Sequence, residues 1–319
     1  MPVTLTDVKA ARERIAGEII RTPLVLCDSV SEPVGAPVYL KLENLQRTGA
    51  FKVRGAVAKV TSLTPAERQR GLVCASSGNH GIGVAYASGR FGIPCVVVLP
   101  ENASDYKISL LEKYGAQILR HGITSDVRQE KVIQLSRERG YTQIPSFADP
   151  VLIAGQGTIG LEILEDLPDV DEVYVPVGGG GLISGIAVAI KEQRPETRIY
   201  GIEPEHSNAM WEALRHQGPV LLPRVETIAD GLAAAITEDI NFSIVKHYAD
   251  EIILVSDREI LEATLFLLER AKIVVEPSAA ASVAGLLKNS RKGGNAVAVI
   301  SGGNITLEQI EEHRRRWKG

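Results

Sequence analysis

The sequence has few of the features that mark disulfide-bonded, membrane-spanning or nucleic-acid-binding proteins. Its 319 residues include only three cysteines, Cys27, Cys74 and Cys95, with no CxxC pair, which argues against a disulfide framework and a zinc site. No apolar run reaches the roughly 18 residues of a membrane span. The 35 basic residues nearly balance 39 acidic ones, so no nucleic-acid partner is expected. Residues 1–8 lack the basic and apolar regions of a secretion signal, and we expect a cytoplasmic protein.

What the sequence does contain is an alternation of short apolar runs with helical patterns. Several runs are apolar throughout, as in parallel strands that are buried on both faces. The alternation predicts an α/β fold, and two groups of strands, near 70–120 and 170–300, predict two doubly wound lobes with mostly parallel sheets. The predicted strands are 71–75, 95–99, 117–119, 172–177, 198–202, 251–255 and 296–300. The predicted helices are 64–69, 81–90, 107–114, 126–140, 181–193 and 257–270.

Lys52 is oddly placed for a surface lysine. It follows Phe51 and a Thr48-Gly49 turn, and it precedes a helical pattern. A lysine held at such a junction among apolar neighbours can have a lowered pKa, which makes its amine a better nucleophile towards an aldehyde. On this segment alone, an ordinary lysine whose stem packs on Phe51 and whose amine reaches water explains the pattern equally well.

A polar loop, residues 76–81, follows the predicted strand 71–75, the first strand of the 70–120 group. Its sequence is Ser76-Ser77-Gly78-Asn79-His80-Gly81, and a helical pattern comes next. Backbone amides at a helix N-terminus, together with hydroxyl and amide side chains, form a cradle that suits a substrate carboxylate. A capped turn between a strand and a helix explains the same residues.

Four consecutive glycines, Gly178 to Gly181, follow another predicted strand and precede a helix of small residues. They allow the backbone to approach a phosphate closely at the positive end of the helix dipole. The spacing GxGxxG fails and no Walker lysine follows, so a compact phosphate-bearing cofactor fits better than NAD or ATP. Ser301 follows the last predicted strand, where its hydroxyl can bond a ring nitrogen or simply form a turn.

In combination these motifs resemble the fold-type II pyridoxal-phosphate enzymes, in particular the branch of serine/threonine dehydratases and serine racemases. The resemblance runs from residue 21 to residue 304. It implies a fold like that of the tryptophan synthase β subunit. It also implies a large pyridoxal-phosphate-binding domain of residues 1–52 and 144–319 and a small mobile domain of residues 53–143.

The resemblance further implies roles for single residues. Lys52 would carry pyridoxal 5′-phosphate covalently and act as the catalytic base, and Ser77 would be the second catalytic residue. The cofactor would contact Phe51, Lys52, Asn79, Gly178, Gly179, Gly180, Gly181, Leu182 and Ser301, with Asn79 at the ring's 3′ oxygen. The substrate carboxylate would be held by Ser76, Ser77, Asn79 and His80.

Two positions depart from the family pattern. Ala50 stands where the family commonly has a serine, which removes a hydroxyl group near the substrate. Glu203 matches the first ligand of a divalent-cation site found in some members, but Ala209 and Met210 occupy the stretch where an aspartate is expected. A hard cation requires several oxygen ligands, so a cation at Glu203 would depend on one carboxylate and on backbone carbonyls.

By resemblance we expect a homodimeric ammonia-lyase of amino-acid catabolism. It would convert a β-hydroxy amino acid such as L-threonine or L-serine to a 2-oxo acid and ammonia. One alternative is a serine or other amino-acid racemase. Another is a dehydratase for a larger substrate, such as 3-hydroxyaspartate, phenylserine or a hydroxyectoine-derived acid. Outside this class, a non-catalytic small-molecule-binding protein would have the same fold.

Overall fold

Two separate β-sheets organise the molecule, within residues 1–76, 78–103, 105–289 and 293–316, which the computed structural model describes. The strands are β1 (Leu24–Leu26), β2 (Val38–Leu42), β3 (Leu72–Ala75), β4 (Cys95–Leu99), β5 (Gln117–Arg120), β6 (Thr142–Gln143), β7 (Val170–Pro176), β8 (Arg198–Pro204), β9 (Glu251–Val255) and β10 (Asn295–Ile300). The larger sheet has the strand order β1-β2-β10-β7-β8-β9, and the smaller one has the order β5-β4-β3-β6.

The strand pairings are parallel except for β1, which runs antiparallel to β2 at the edge of the larger sheet. Parallel strands are covered on both faces, which explains why the β4 sequence is apolar at every position and fully buried. The seven predicted strands and the α/β class with mostly parallel sheets are confirmed.

Helices cover the faces of the sheets. They are α1 (Leu5–Ile15), α2 (Asp28–Val34), α3 (Lys52–Ser62), α4 (Pro65–Gln69), α5 (Asn79–Arg90), α6 (Asp105–Lys113), α7 (Ser125–Arg139), α8 (Pro150–Asp166), α9 (Gly181–Lys191), α10 (Ala209–His216), α11 (Asp239–Tyr248), α12 (Asp257–Phe266), α13 (Pro277–Asn289) and α14 (Leu307–Arg316). Each of the six predicted helices is present, and a π-helical turn, Leu267–Ala271, extends α12. Among the described residues, every helix is too short or too polar to span a bilayer.

Helix α8 joins the two halves of the chain. The side chain of Asp149 accepts hydrogen bonds from the amides of Val151 and Leu152, and Pro150 occupies the first turn, so the sequence specifies where the helix begins. A Cβ atom at Gly155 would lie 2.8 Å from the Cα of Gly55, so α8 and α3 pack with their backbones in close contact. This packing fixes α3, the helix that begins at Lys52.

The strands of the smaller sheet lie between residues 72 and 143, and those of the larger sheet lie outside that interval. Helix α3 packs against α8 and also against α5, whose N-terminus follows β3. The boundaries of the small domain at residues 53 and 143, and its mobility, stay predictions.

Candidate active site

The segment before Lys52 is bound to the loop that follows β10. Ala50 forms an isolated bridge with Gly302, and the Phe51 amide donates a hydrogen bond to the Ser301 carbonyl over 3.0 Å. The carboxyl ends of neighbouring parallel strands meet at one edge of a sheet, and ligands bind in the crevice at that edge. The two predicted site residues Lys52 and Ser301 are therefore brought together, although about 250 residues separate them.

The Lys52 amine points into this crevice. Its Nζ donates a hydrogen bond to the Ser146 carbonyl over 2.8 Å and lies 5.3 Å from the centroid of the Phe51 ring. Burial lowers the pKa of Lys52 from its ordinary value of 10.5 to about 8, against the opposing effect of the Glu276 carboxylate. Near neutral pH a larger fraction of these amines is therefore neutral than for an ordinary lysine, and the neutral form is the one that acts as a nucleophile or base.

The polar loop before α5 is held in shape by Ser76. The Ser76 hydroxyl accepts hydrogen bonds from the amides of Gly78, over 3.1 Å, and Gly81, over 2.9 Å. These bonds turn the start of α5 towards the end of β3 and place Asn79 in its first turn. Ser77, predicted as both a catalytic and a substrate-binding residue, lies outside the described residues.

His80 lies beneath this loop and is buried. Its Nε2 lies 3.1 Å from the Ile144 carbonyl, and because a carbonyl only accepts, Nε2 carries the proton. Burial and the charge of Lys52 lower the pKa of His80 to about 3, so its ring is neutral. Among the described residues its Nδ1 has no hydrogen-bond partner. The structure brings His80 to the site, and its contact with a substrate carboxylate stays a prediction.

The four-glycine loop accommodates no side chains. Gly180 has a φ of +93°, which residues with a Cβ rarely adopt, and a Cβ there would lie 2.7 Å from the Met210 side chain. A Cβ at Gly179 would overlap the Phe147 ring, and one at Gly181 would lie 2.9 Å from the Phe147 carbonyl. Neighbouring residues thus exclude side chains from the loop that begins α9, and the free amides of a helix N-terminus are groups that bind a phosphate. Leu182 is buried in the core behind this loop.

Glu276 has no recognisable signal in the sequence, whereas Asn304 ends the polar 301–304 segment that follows β10. The carboxylate of Glu276 accepts a hydrogen bond of 2.6 Å from Asn79 Nδ2, and Asn304 Nδ2 donates to Asn79 Oδ1 over 2.7 Å. Glu276 precedes Pro277 at the start of α13, where an acidic residue is explained by a favourable interaction with the helix dipole. The contact with Asn79 spans 197 residues, which local sequence patterns do not reveal.

One ion pair joins the part of the chain around the smaller sheet to the part around the larger sheet. The Lys107 amine on α6 lies 3.3 Å from the carboxylate of Asp230, which belongs to the short 3₁₀ turn Asp230–Leu232. A Cβ at Gly78 would lie 3.9 Å from the same amine, so Lys107 also lies beside the polar loop. A positive charge at this point complements an anionic group bound at the loop.

The side chains around Glu203 do not fit a divalent cation. Both of its carboxylate oxygens accept backbone hydrogen bonds at the start of α10, from the amides of Met210 over 2.9 Å and Trp211 over 2.8 Å. Among the described residues, no group of three His, Cys, Asp or Glu side chains is arranged to bind a metal. Burial raises the pKa of Glu203 to about 8, which favours its neutral form and disfavours binding of a hard cation.

Comparisons with known proteins agree with the geometry of the site. The profile of the family described as "Pyridoxal-phosphate dependent enzyme" matches residues 15–302, a range that includes Lys52 and the glycine loop. The L-threonine ammonia-lyase of Thermotoga maritima is 45% identical over 310 residues, which are 97% of this chain and 77% of that protein. The catabolic L-threonine dehydratase of Escherichia coli K12 is 40% identical over 317 residues, 98% of this chain and 96% of that protein. Among solved structures, maize serine racemase matches with a TM-score of 0.94 and 33% identity, over 99% of this chain and 98% of that one.

Proposed function

The chain belongs to the pyridoxal-phosphate-dependent enzyme family, and from that premise we propose that it is a lyase that acts on L-threonine or L-serine. It removes water from the β-hydroxy amino acid and releases a 2-oxo acid and ammonia. The observation that carries this proposal is the desolvated amine of Lys52, whose pKa is lowered to about 8, in a chain whose curated relatives include threonine lyases at 45% and 40% identity.

Pyridoxal phosphate, when bound, withdraws electrons from the amino acid's Cα and so makes its proton removable. We propose that the amides of Gly178 to Gly181, with Leu182, hold the phosphate, and that Lys52 holds the aldehyde carbon covalently. Asn79 would donate a hydrogen bond to the ring's 3′ oxygen, Phe51 would contact the ring, and Ser301 would bond the ring nitrogen. The support for these roles is the left-handed backbone of Gly180, the lack of room for side chains in the glycine loop, and the bond between the Phe51 amide and the Ser301 carbonyl.

Lys52 has two tasks in this proposal. The neutral form of its amine would hold the cofactor, and the same amine, when free, would remove the Cα proton of the substrate. A pKa of about 8 suits both tasks, because the amine is available as a base near neutral pH and still holds the proton that it takes. The hydroxyl of Ser301 is a neutral partner for the ring nitrogen, which favours prompt loss of the β-hydroxyl group over slower reactions at Cα.

The substrate carboxylate is proposed to bind at the N-terminus of α5, on the loop that Ser76 shapes, with Ser77, Asn79 and His80. Because the His80 ring is neutral, the positive partners of the substrate carboxylate are the amides at the N-terminus of α5 and the nearby Lys107 amine. We further propose that the chain works as a homodimer in the cytoplasm and that residues 53–143 form a small mobile domain beside a large domain of residues 1–52 and 144–319.

A racemase is the second candidate, because the chain matches maize serine racemase with a TM-score of 0.94. Racemisation requires a second acid or base on the far side of Cα, and Ser77 is the residue proposed for that role. The two candidates differ in their products, since a racemase retains the β-hydroxyl group.

An assay of the purified holoenzyme with a panel of amino acids distinguishes these candidates. The panel contains L-threonine, L-serine, D-serine, L-threo-3-hydroxyaspartate and phenylserine, and 2-oxo acid, ammonia and both enantiomers are measured. We expect equal amounts of 2-oxo acid and ammonia from L-threonine and L-serine. Enantiomer exchange that exceeds 2-oxo acid formation would make the protein a racemase, and a protein that changes no member of the panel would refute the lyase assignment.

A further inference from the structure

Glu276 is a charged group of the site to which the reaction above gives no task. Its backbone is tied at two points, because its amide donates to the Gly302 carbonyl over 3.1 Å and its carbonyl accepts from the amide of Ala279 in α13 over 2.9 Å. Its carboxylate lies so close to Gly302 that a Cβ at that glycine would overlap Glu276 Oε1. The position of this carboxylate is therefore set by the same loop that holds Ser301 and the segment before Lys52.

A chain of hydrogen bonds joins Glu276, Asn79, Asn304 and the Thr48 carbonyl. Asn304 Nδ2 donates to the Thr48 carbonyl over 2.8 Å and to Asn79 Oδ1 over 2.7 Å. A backbone carbonyl only accepts, so the amide nitrogen of Asn304 must face Thr48, and Asn79 must then present its oxygen to Asn304. The nitrogen of Asn79 consequently faces Glu276, to which it donates over 2.6 Å.

This arrangement determines which group Asn79 offers to a ligand. Its amide nitrogen carries two hydrogens, and Glu276 takes one of them. Both ends of the Asn79 amide are thus fixed, and its second N–H is the group left to donate. A carboxylate that accepts from one N–H raises the electron density on the amide nitrogen, so the charge of Glu276 also alters how strongly the second N–H donates.

The charge state of Glu276 depends on several neighbours. Burial raises its pKa to about 7, and the charge of Asp230 adds to that rise. The hydrogen bond from Asn79 and the charges of Lys107 and Lys52 oppose it. Tyr106, on α6, also faces Glu276 and has a raised pKa, mainly through burial. The carboxyl group accordingly changes charge near neutral pH, in a site that these five residues surround.

We propose that Glu276 is a positioning residue for the cofactor, which holds the Asn79 amide so that its second N–H is directed at the 3′ oxygen of pyridoxal phosphate. The inference rests on the proposed function, because it needs that cofactor in the site. Ionisation of Glu276 changes how strongly Asn79 donates, and the electronic state of the cofactor ring follows.

The test compares the variants Glu276→Gln and Glu276→Ala with the wild-type holoenzyme. Glutamine keeps an oxygen that accepts from Asn79 but cannot ionise, whereas alanine removes the partner of Asn79 altogether. The visible absorbance of the bound cofactor is recorded from about pH 5 to about pH 9, a range that spans the ordinary carboxyl pKa and the raised one. The dissociation constant of pyridoxal phosphate is measured at about pH 8, where the carboxyl group is ionised. Glu226→Gln is the control, since Glu226 pairs with Arg224 at the surface.

We expect the wild-type protein and Glu226→Gln to show an absorbance change centred near the Glu276 pKa of about 7. Both Glu276 variants should lack this change. Loss of a charge-assisted hydrogen bond should raise the dissociation constant about tenfold in Glu276→Ala and by clearly less in Glu276→Gln.

An unchanged absorbance transition in the well-folded Glu276→Gln protein would overturn the inference and leave the proposed function standing. Wild-type affinity for the cofactor in Glu276→Ala would do the same. A wild-type protein that binds no pyridoxal phosphate would overturn the proposed function and this inference with it. Because the readouts are absorbance and binding, they decide the role of Glu276 even when no tested amino acid is turned over.

Discussion

At the scale of single residues, the reactivity of Lys52 follows from the place where helix α3 begins. The bonds that join Ala50 and Phe51 to the 301–302 segment direct the amine into the crevice and not into the solvent. Desolvation then lowers the pKa of the amine, because a buried ammonium group loses its hydration. The sequence alone is equally consistent with a reactive lysine and with an ordinary surface lysine. The placement of the amine favours the reactive lysine.

The lowered pKa predicts how the apo protein takes up its cofactor. Only the neutral amine attacks an aldehyde, so the rate of pyridoxal-phosphate capture should rise with pH up to the Lys52 pKa of about 8 and level off above it. Stopped-flow absorbance measures this rate, with Nα-acetyl-lysine as the control amine. A rate that keeps rising in parallel with the control, up to an ordinary lysine pKa of about 10.4, would show that Lys52 is not desolvated.

The polar residues of the site were predictable to different degrees. Lys52, Asn79 and Ser301 each stand directly at the end of a strand or the start of a helix, so local patterns reveal them. Glu276 was not predictable, because its role depends on a partner 197 residues away and its local sequence has an ordinary explanation as a helix start. Ser76 was predicted as a substrate ligand, and its hydroxyl proves to hold the loop itself through the amides of Gly78 and Gly81.

At the scale of elements, the structure explains why the loop before α9 contains four glycines. Four glycines are more than a turn needs. Close backbone and side-chain neighbours explain Gly179 and Gly181, and a left-handed conformation explains Gly180.

Substitution of Gly180 tests this loop. Gly180→Ala should raise the dissociation constant of pyridoxal phosphate about tenfold or more, because a Cβ strains the backbone and meets Met210. The matched control is Gly17→Ala, which has a φ of +78° but nothing within 4 Å of its Cβ. Both variants carry the same backbone strain, so equal cofactor binding by the two would show that the loop does not hold the cofactor. Binding is measured by equilibrium dialysis.

Helix α3 is anchored by a cluster of buried charges. The guanidinium of Arg54 pairs with Glu43 and with Glu162, each over 2.7 Å, and Lys41 also pairs with Glu162 over 2.6 Å. Two positive and two negative side chains balance one another, and Arg54 has no solvent-exposed surface. The carboxylates on both sides raise the pKa of the Arg54 guanidinium, which keeps it charged in spite of burial.

Removal of Arg54 should be costly because it leaves buried carboxylates without a partner. We expect Arg54→Ala to lower the free energy of unfolding by about 3–5 kcal/mol. Arg12→Ala, which breaks an exposed ion pair with Glu165, should cost less than about 1 kcal/mol. Denaturant midpoints of the apo proteins provide the comparison. A midpoint for Arg54→Ala that is no lower than that of Arg12→Ala would contradict the anchoring role of the cluster.

At the scale of the whole molecule, the sequence predicted the α/β class and seven strands of the two sheets. Three strands, β1, β2 and β6, were not predicted. β1 and β6 have only three and two residues, too few for a periodic pattern, and the apolar run of β2 is interrupted by the buried Lys41. The pairing of β10 between β2 and β7 was not predictable either, because strand order depends on contacts between distant segments. That pairing matters for function, since it brings the loop with Ser301 to the segment before Lys52.

The charges that meet across the crevice are likewise a property of the complete fold. Lys107 comes from the chain around the smaller sheet, and Asp230 and Glu276 come from the chain around the larger one. The local sequence around each of these residues is explained equally well by an ordinary surface charge or a charge at a helix end. Only the relative placement of the two sheets shows that they surround the amine of Lys52 and the polar loop.

Reduction of the working holoenzyme with borohydride, followed by peptide mapping, tests the account as a whole most directly. Borohydride makes the bond between a lysine amine and pyridoxal phosphate permanent, and mass spectrometry then identifies the labelled lysine. We predict one pyridoxyl group per chain on the peptide containing Lys52, with lyase activity on L-threonine lost in proportion to the label, and no label in Lys52→Ala. A label on another lysine, or lyase activity that survives complete labelling of Lys52, would contradict the account.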